Sequence, residues 1–242
     1  MVEDTHTLLA IFAHPDDETF RPGGTLALLA RHGVEVHVLT ATRGHAGSCG
    51  DPPLCTLEEL PAVRERELRC ACAALDVEPP RLLDYQDGRL PEVNPEEITA
   101  HILTAVAEVH PQVVLTFGPD GLSGHADHIA IGRCAAEAYV RTKQIAALYC
   151  LAVPRSLAEH LQMRQVHSVP DEEITLAVDV ASAWAAKQAA MACHMTQRSS
   201  TPLMNAPEAR QRLFFGQEFY VRAASRHPNM DFMPQILKEH GG

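Results

Sequence analysis

The chain has 242 residues, 46% hydrophobic and 21% charged, enough apolar material for one sizeable core and too little charge density for a disordered chain. Its 20 Lys and Arg stand against 31 Asp and Glu, a net charge of -11 that repels phosphate backbones and anionic lipid, so no nucleic acid and no membrane partner is expected. With acidic Glu3 and Asp4 at the start and no apolar run long enough to span a bilayer, the reading is a cytoplasmic protein.

Leu8-Leu9-Ala10-Ile11-Phe12 has no polar member, as in a short strand covered on both faces of a parallel sheet. Directly behind it stands Ala13-His14-Pro15-Asp16-Asp17-Glu18, one histidine and three carboxylates. In open α/β sheets ligands bind beyond the carboxyl ends of the strands, where this cluster falls. Gly23-Gly24 opens a helix over Thr25 to His32, ended by Gly33, and Val34 to Thr40 reads as the second strand. Gly23-Gly24 alone is too weak a signal for a phosphate cradle, and the chain lacks G-x-G-x-x-G.

A polar, Gly-rich segment from Ala41 to Leu54 is long enough to form a lid. Thr56-Leu57-Glu58-Glu59 is a capping signal for a helix reaching Leu75. Leu82 to Tyr85 reads as a strand, and Asn94-Pro95-Glu96-Glu97 starts a helix to about Glu108. Val113 to Phe117 is a strand whose exit, Gly118 to His128, ends in His125-Ala126-Asp127-His128 ahead of a helix over Ile129 to Arg141. Strands near Ala147 to Val153 and Ile174 to Val178, a helix over Ser182 to His194 and a strand over Glu218 to Val221 complete the pattern. The alternation predicts a single Rossmann-like α/β domain over residues 1–242, with a mainly parallel sheet flanked by helices.

Seven cysteines without regular spacing suit reduced thiols better than a disulfide framework. Cys70, Cys72, Cys134, Cys150 and Cys193 lie in helical or apolar segments and are expected to be buried. Cys49 and Cys55 read as ordinary loop cysteines.

Two acidic, histidine-bearing loops at two strand ends point to a metal. A catalytic zinc keeps about three protein ligands and an open position. His14 and Asp17, three apart in a turn, can converge on one ion while Asp16 points elsewhere, and His128 supplies a ligand from the other strand end. Asp127 or a backbone carbonyl would fix the tautomer of a nearby imidazole. Asp16, free of the metal, is the expected general base for water and acid for the leaving amine. His125 is a fourth ligand or, protonated and oriented by Asp127, a donor to the oxyanion.

These residues resemble the zinc-dependent deacetylases of the PIG-L/LmbE type, which remove acetyl groups from N-acetylglucosamine conjugates and carry A-H-P-D-D-E after the first strand and H-x-D-H later. Thr42-Arg43-Gly44, Arg64 with Glu67, Asp87-Gly88 and His194-Met195-Thr196-Gln197 look like further motifs of that family. The resemblance implies an N-deacetylase using Zn2+, or another divalent metal such as Fe2+, on an acetylated amino-sugar conjugate. It favours His125 as the oxyanion donor and implies that Arg64 and Asp87 bind sugar hydroxyls. Ala126 stands where the family often has proline, and Ser123 where some members carry a tyrosine, so no phenol serves the oxyanion from that position. A metal phosphoesterase and a non-catalytic sugar-binding protein are the alternatives, and a homo-oligomer is compatible with the sequence.

Overall fold

In a computed structural model, residues 6–240 are described. Seven strands form one sheet in the order β3-β2-β1-β4-β5-β7-β6. Chain order runs β1 (Thr7–Phe12), α1 (Asp17–Phe20), α2 (Gly23–Arg31), β2 (Glu35–Thr42), α3 (Leu60–Ala74), β3 (Arg81–Tyr85), α4 (Pro95–Val109), β4 (Val113–Phe117) and α5 (Ala126–Arg141). It continues with β5 (Ala147–Ala152), α6 (Arg155–His160), β6 (Leu176–Asp179), α7 (Trp184–Cys193), α8 (Glu208–Phe215), β7 (Gln217–Ser225) and α9 (Met233–His240). β1 to β5 pair in parallel, whereas β7 runs antiparallel to both β5 and β6.

Every residue of β1, β4 and β5 is buried, which is why these strands read as nearly continuous apolar runs, broken only by Thr7 and Thr116. β1 pairs with β2 on one side and β4 on the other, so the chain winds outward from β1, then returns to start the other half of the sheet. This reversal leaves a crevice beyond the carboxyl ends of β1 and β4. The loops that follow these two strands therefore face each other.

The expected α/β architecture is found, with differences at its edges. β7 is longer than its apolar signature because Arg222 to Ser225 are held by antiparallel pairing with β5 and carry little alternation. The Thr56/Glu59 capping box forms, with Thr56 N–H donating to Glu59 Oε2 at 3.0 Å and Glu59 N–H to Thr56 Oγ1 at 3.3 Å. The N-terminal amides of α2 are occupied from within: Gly24 and Thr25 N–H donate to the Glu218 carboxylate at 2.8 and 2.7 Å. A Cβ on Gly24 would come within 2.4 Å of Val180 Cβ, so glycine is required for this contact. Gly23-Gly24 thus serves packing and an internal cap.

The cysteine expectation needs correction. Cys70 on α3 and Cys193 at the end of α7 form a disulfide, and Cys70 is exposed and Cys193 half-buried instead of buried. The helices pack side by side, which brings together two thiols 123 residues apart in sequence, a proximity that spacing along the chain does not reveal. Cys72, Cys134 and Cys150 are buried and free, as expected, and Cys49 and Cys55 are free in their loop.

Candidate metal centre and catalytic cleft

His14 lies in the turn after β1 and is buried. Its Nδ1 faces His128 Nε2 at 3.2 Å and lies 3.7 Å from Asp17 Oδ2, while Asp17 Oδ1 is 3.4 Å from His128 Nε2. Each imidazole is held by its other nitrogen. His14 Nε2 lies 3.0 Å from Asp87 Oδ1 and 3.1 Å from Asp127 Oδ2, and His128 Nδ1 donates to Gly121 O at 3.0 Å. In the neutral form of each ring, proton donation at these positions directs the lone pairs of His14 Nδ1 and His128 Nε2 at one point, with a carboxylate beside them. His14, Asp17 and His128, the three expected ligands, therefore converge as a set able to hold a divalent metal.

Two further groupings surround that point. The ligand atoms of His14, His125 and His128 lie within 4.8 Å of one another, as do those of His14, Asp87 and Asp127. The second grouping is already saturated. Asp127 is fully buried and accepts Gly88 N–H at 2.7 Å and Leu90 N–H at 3.0 Å, and Asp87 accepts Ala46 N–H at 2.9 Å. These carboxylates orient His14 from behind. Both expected ways of fixing an imidazole are found, the carboxylate on His14 and the backbone carbonyl on His128.

Burial opposes a charge on His14, but its hydrogen bonds to the Asp127 and Asp87 carboxylates and the nearby charge of Asp17 outweigh it and push its pKa up to about 10. Burial also raises Asp87 and Asp127, yet the bonds from His14 and the backbone amides win, and both carboxyls are held below the usual range. The same field favours a cation at the point where the lone pairs meet.

His125 caps α5, and its Nδ1 accepts the backbone N–H of Asp127 at 3.2 Å. This corrects the expected protonated imidazole oriented by the Asp127 carboxylate. A charged ring would carry a proton on Nδ1 and lose the cap. Burial, then the charges of His14 and His128, lower the pKa of His125, in agreement with a neutral ring whose Nε2 carries the proton.

Asp16 lines the same cleft as His14, Asp17 and His128. Its backbone sits at φ 110, held by donation of its N–H to Glu18 Oε2 at 2.9 Å. Glu18 is fully buried and lies 2.8 Å from Nε2 of the equally buried His194. Burial pushes the Asp16 pKa up to about 6 against the opposing pull of Arg64. Arg64 Nη2 donates to Asp16 Oδ2 at 3.1 Å and to Pro15 O, and Nη1 donates to Gly44 O at 2.8 Å. Arg64 is thus a buried clamp and does not belong to a solvated helix face. Gly44, at φ +66, leaves the space for it, since a Cβ there would lie 2.1 Å from Nη1.

A cleft of about 300 Å³ opens over these groups, lined by His14, Asp16, Asp17, Arg64, Asp87, His125 and His128 together with Ala46, Gly47, Gly88 and Gln197. Of the expected residues only Asp127 lies behind the wall. The segment expected as a lid forms part of the cleft rim and is bonded to its neighbours by Ala46 N–H donating to Asp87 and by Gln197 Nε2 donating to Ser48 O at 2.9 Å. Thr196 anchors this corner by donating N–H to Glu67 Oε1 at 2.7 Å and Oγ1 to Glu67 Oε2 at 2.6 Å. Gln197, Ala46 and Gly47 were not among the expected site residues. Gln197 was signalled by the late His194-to-Gln197 motif, whereas Ala46 and Gly47 carry no chemical signal of their own.

Residues 9–139, more than half of the chain, match the family described as GlcNAc-PI de-N-acetylase. The chain belongs to this family. Among de-N-acetylase relatives, the 1D-myo-inositol 2-acetamido-2-deoxy-alpha-D-glucopyranoside deacetylase of Acidothermus cellulolyticus is 32% identical, over 89% of this chain and 88% of its own. The fold recurs in N,N'-diacetylchitobiose deacetylase of Pyrococcus horikoshii, with a TM-score of 0.63 and 20% identity over 90% of this chain and 84% of that one. It also recurs in GalB, the 4-carboxy-2-hydroxymuconate hydratase of Pseudomonas putida KT2440, with a TM-score of 0.67 and 20% identity over 92% of this chain and 98% of that one. The shared fold therefore carries more than one chemistry, and the side chains in the cleft must decide between them. Among the described residues no helix is long and apolar enough to cross a membrane.

Proposed function

We propose that the protein is a metal-dependent N-deacetylase that hydrolyses the acetamide of an N-acetylglucosamine-containing small molecule. One observation carries the reading: around the convergence of His14, Asp17 and His128, the cleft presents a separate carboxylate, Asp16, and a separate imidazole, His125. Amide hydrolysis needs this combination of a base and an oxyanion donor flanking a Lewis acid.

His14 and His128 through nitrogen and Asp17 through oxygen would hold the metal, and two imidazoles with one carboxylate suit zinc. Such an ion lowers the pKa of water and polarises the acetamide carbonyl. Asp16 accepts the proton of the attacking water, and its carboxyl, with a pKa of about 6, is poised to return that proton to the departing amine near neutral pH. His125 donates its Nε2 hydrogen to the oxygen on which charge develops. Arg64 holds Asp16 in line. Arg64 and Asp87 line the cleft beside these groups and are assigned to binding the sugar hydroxyls.

The test is acetate release from a panel of N-acetylglucosamine conjugates by zinc-loaded wild type, metal-stripped protein and D16N. Release that needs metal and falls about 10²- to 10⁴-fold in D16N is expected. Near-normal turnover by D16N would remove Asp16 from the mechanism, and no release from any conjugate by metal-loaded wild type would overturn the deacetylase reading.

A further inference from the structure

Beside the cleft lies a second concavity of about 240 Å³. Leu90 and Val93 form one wall, and the opposite wall is a face of α5 carrying Ala126, Ile129, Ala130 and Arg133. The α5 residues recur at the spacing of one helical face. Each wall continues in the chain from a wall of the cleft: Gly88 lines the cleft and Leu90 the groove, His125 the cleft and Ala126 the groove. The two hollows therefore adjoin along α5, the helix that carries His128.

The groove is apolar except at its far end. Arg133 is its only charged lining residue, is exposed, and makes no hydrogen bond or ion pair among the described residues. The nearby acids are taken elsewhere: Arg141 bonds Glu96 at 2.6 Å and Glu137 at 2.7 Å. Arg133 lies seven positions beyond Ala126, about 10 Å along the helix axis. A closed apolar cavity of about 150 Å³ admits benzene, so this groove has room for a ring or a short alkyl chain.

We propose that the preferred substrate is a glucosamine conjugate whose aglycone is an apolar ring or chain ending in a carboxylate, seated in this groove with its acid at Arg133. The inference rests on the deacetylase reading. A polyol aglycone would press hydroxyls against Leu90, Val93 and Ile129 without partners. A purely hydrocarbon aglycone would leave the free guanidinium unused. Charge complementarity selects the amphipathic acid.

The experiment compares N-acetylglucosaminides bearing methyl, hexyl and carboxyhexyl aglycones, with the methyl glycoside as internal reference on every variant. In wild type kcat/KM is expected to rise about tenfold or more from methyl to hexyl, and about threefold again with the carboxylate. R133Q should erase the second gain and A130W, which fills the groove, the first. A flat series in wild type, or gains that persist in both variants, would overturn the proposal. Calorimetric binding of the same compounds to metal-loaded D16N reads the groove apart from turnover. The same ranking there supports the groove even if nothing is hydrolysed, in which case only the deacetylase reading falls. Acetate release without any ranking sinks the groove alone.

Discussion

The Asp127 carboxylate lies 3.1 Å from Nε2 of His14 across 113 residues of sequence, fully buried and also accepting the amides of Gly88 and Leu90. It joins the β1 loop, the segment after β3 and the first turn of α5 behind the metal position. D127N keeps the shape and one acceptor oxygen but removes the charge that orients His14. Metal affinity is expected to fall about 10- to 100-fold, with acetate release recovering at high metal concentration. Competition with a chelating indicator measures it, and an unchanged Kd would show that Asp127 acts only as a backbone staple.

Metal uptake should release a proton. With its pKa pushed up to about 10, His14 in the metal-free protein is protonated at neutral pH, and Nδ1 must lose that proton to bind an ion. Affinity is therefore expected to rise about tenfold for each pH unit from 6 to 9, and to flatten as the pH passes the His14 pKa. Calorimetry in buffers of different ionisation enthalpy counts the proton directly. A count of zero at pH 7 would mean that His14 is already neutral.

The proposed metal ligands were legible in the sequence because their physics is local at both ends. An unbroken apolar strand announces its own carboxyl end, and His14 with Asp17, or Asp127 with His128, are close enough along the chain to be read as units. The alternation of strands and helices pointed to a parallel sheet, but that β4 pairs with β1, which brings the units together, is seen only in the structure. The role of Arg64 was not legible. Its neighbours Glu65, Arg66 and Arg69 give the segment the look of a solvated face, and only the packing of α3 under the β1 loop shows that this one guanidinium is buried. The tautomer of His125 depends on a backbone amide two residues on, and the Cys70–Cys193 pairing on helix packing. Neither leaves a trace in spacing.

The disulfide makes a countable prediction. Thiol titration of denatured, unreduced protein should find five groups, and seven after reduction. Because the bridge closes a loop of more than a hundred residues, C70S is expected to lose about 2–4 kcal/mol of stability by urea unfolding. Reductant should lower the stability of wild type by the same amount and leave C70S unchanged. Seven thiols before reduction would show that the bridge is not formed in the isolated protein.

Glu218 holds α2 to the far half of the sheet. It accepts Gly24 and Thr25 N–H and lies 2.6 Å from Nζ of the fully buried Lys187, which also donates to Phe215 O at 2.8 Å. K187M leaves this carboxylate buried without its cation. A loss of about 3–5 kcal/mol is expected by urea unfolding. A loss below about 1 kcal/mol would mean that the amides and Tyr220 hydroxyl satisfy Glu218 unaided.

Asp16 and Arg64 give the pH profile its sign. Asp16 works as a base only when ionised, so kcat/KM should rise with pH through an acid limb near the Asp16 pKa of about 6. Burial raises that pKa and the Arg64 guanidinium, 3.1 Å away, lowers it. Removing the cation in R64Q therefore moves the acid limb to higher pH, by about 1 unit or more. Below the limb the variant loses activity steeply, and well above it kcat/KM levels off at a lower plateau than in wild type, because the base is again ionised while the contact of Arg64 with the sugar is gone. A substitution that only loosened the loop would depress the whole profile without moving it. The profile of R64Q against wild type on a single N-acetylglucosaminide, at saturating metal, separates the two.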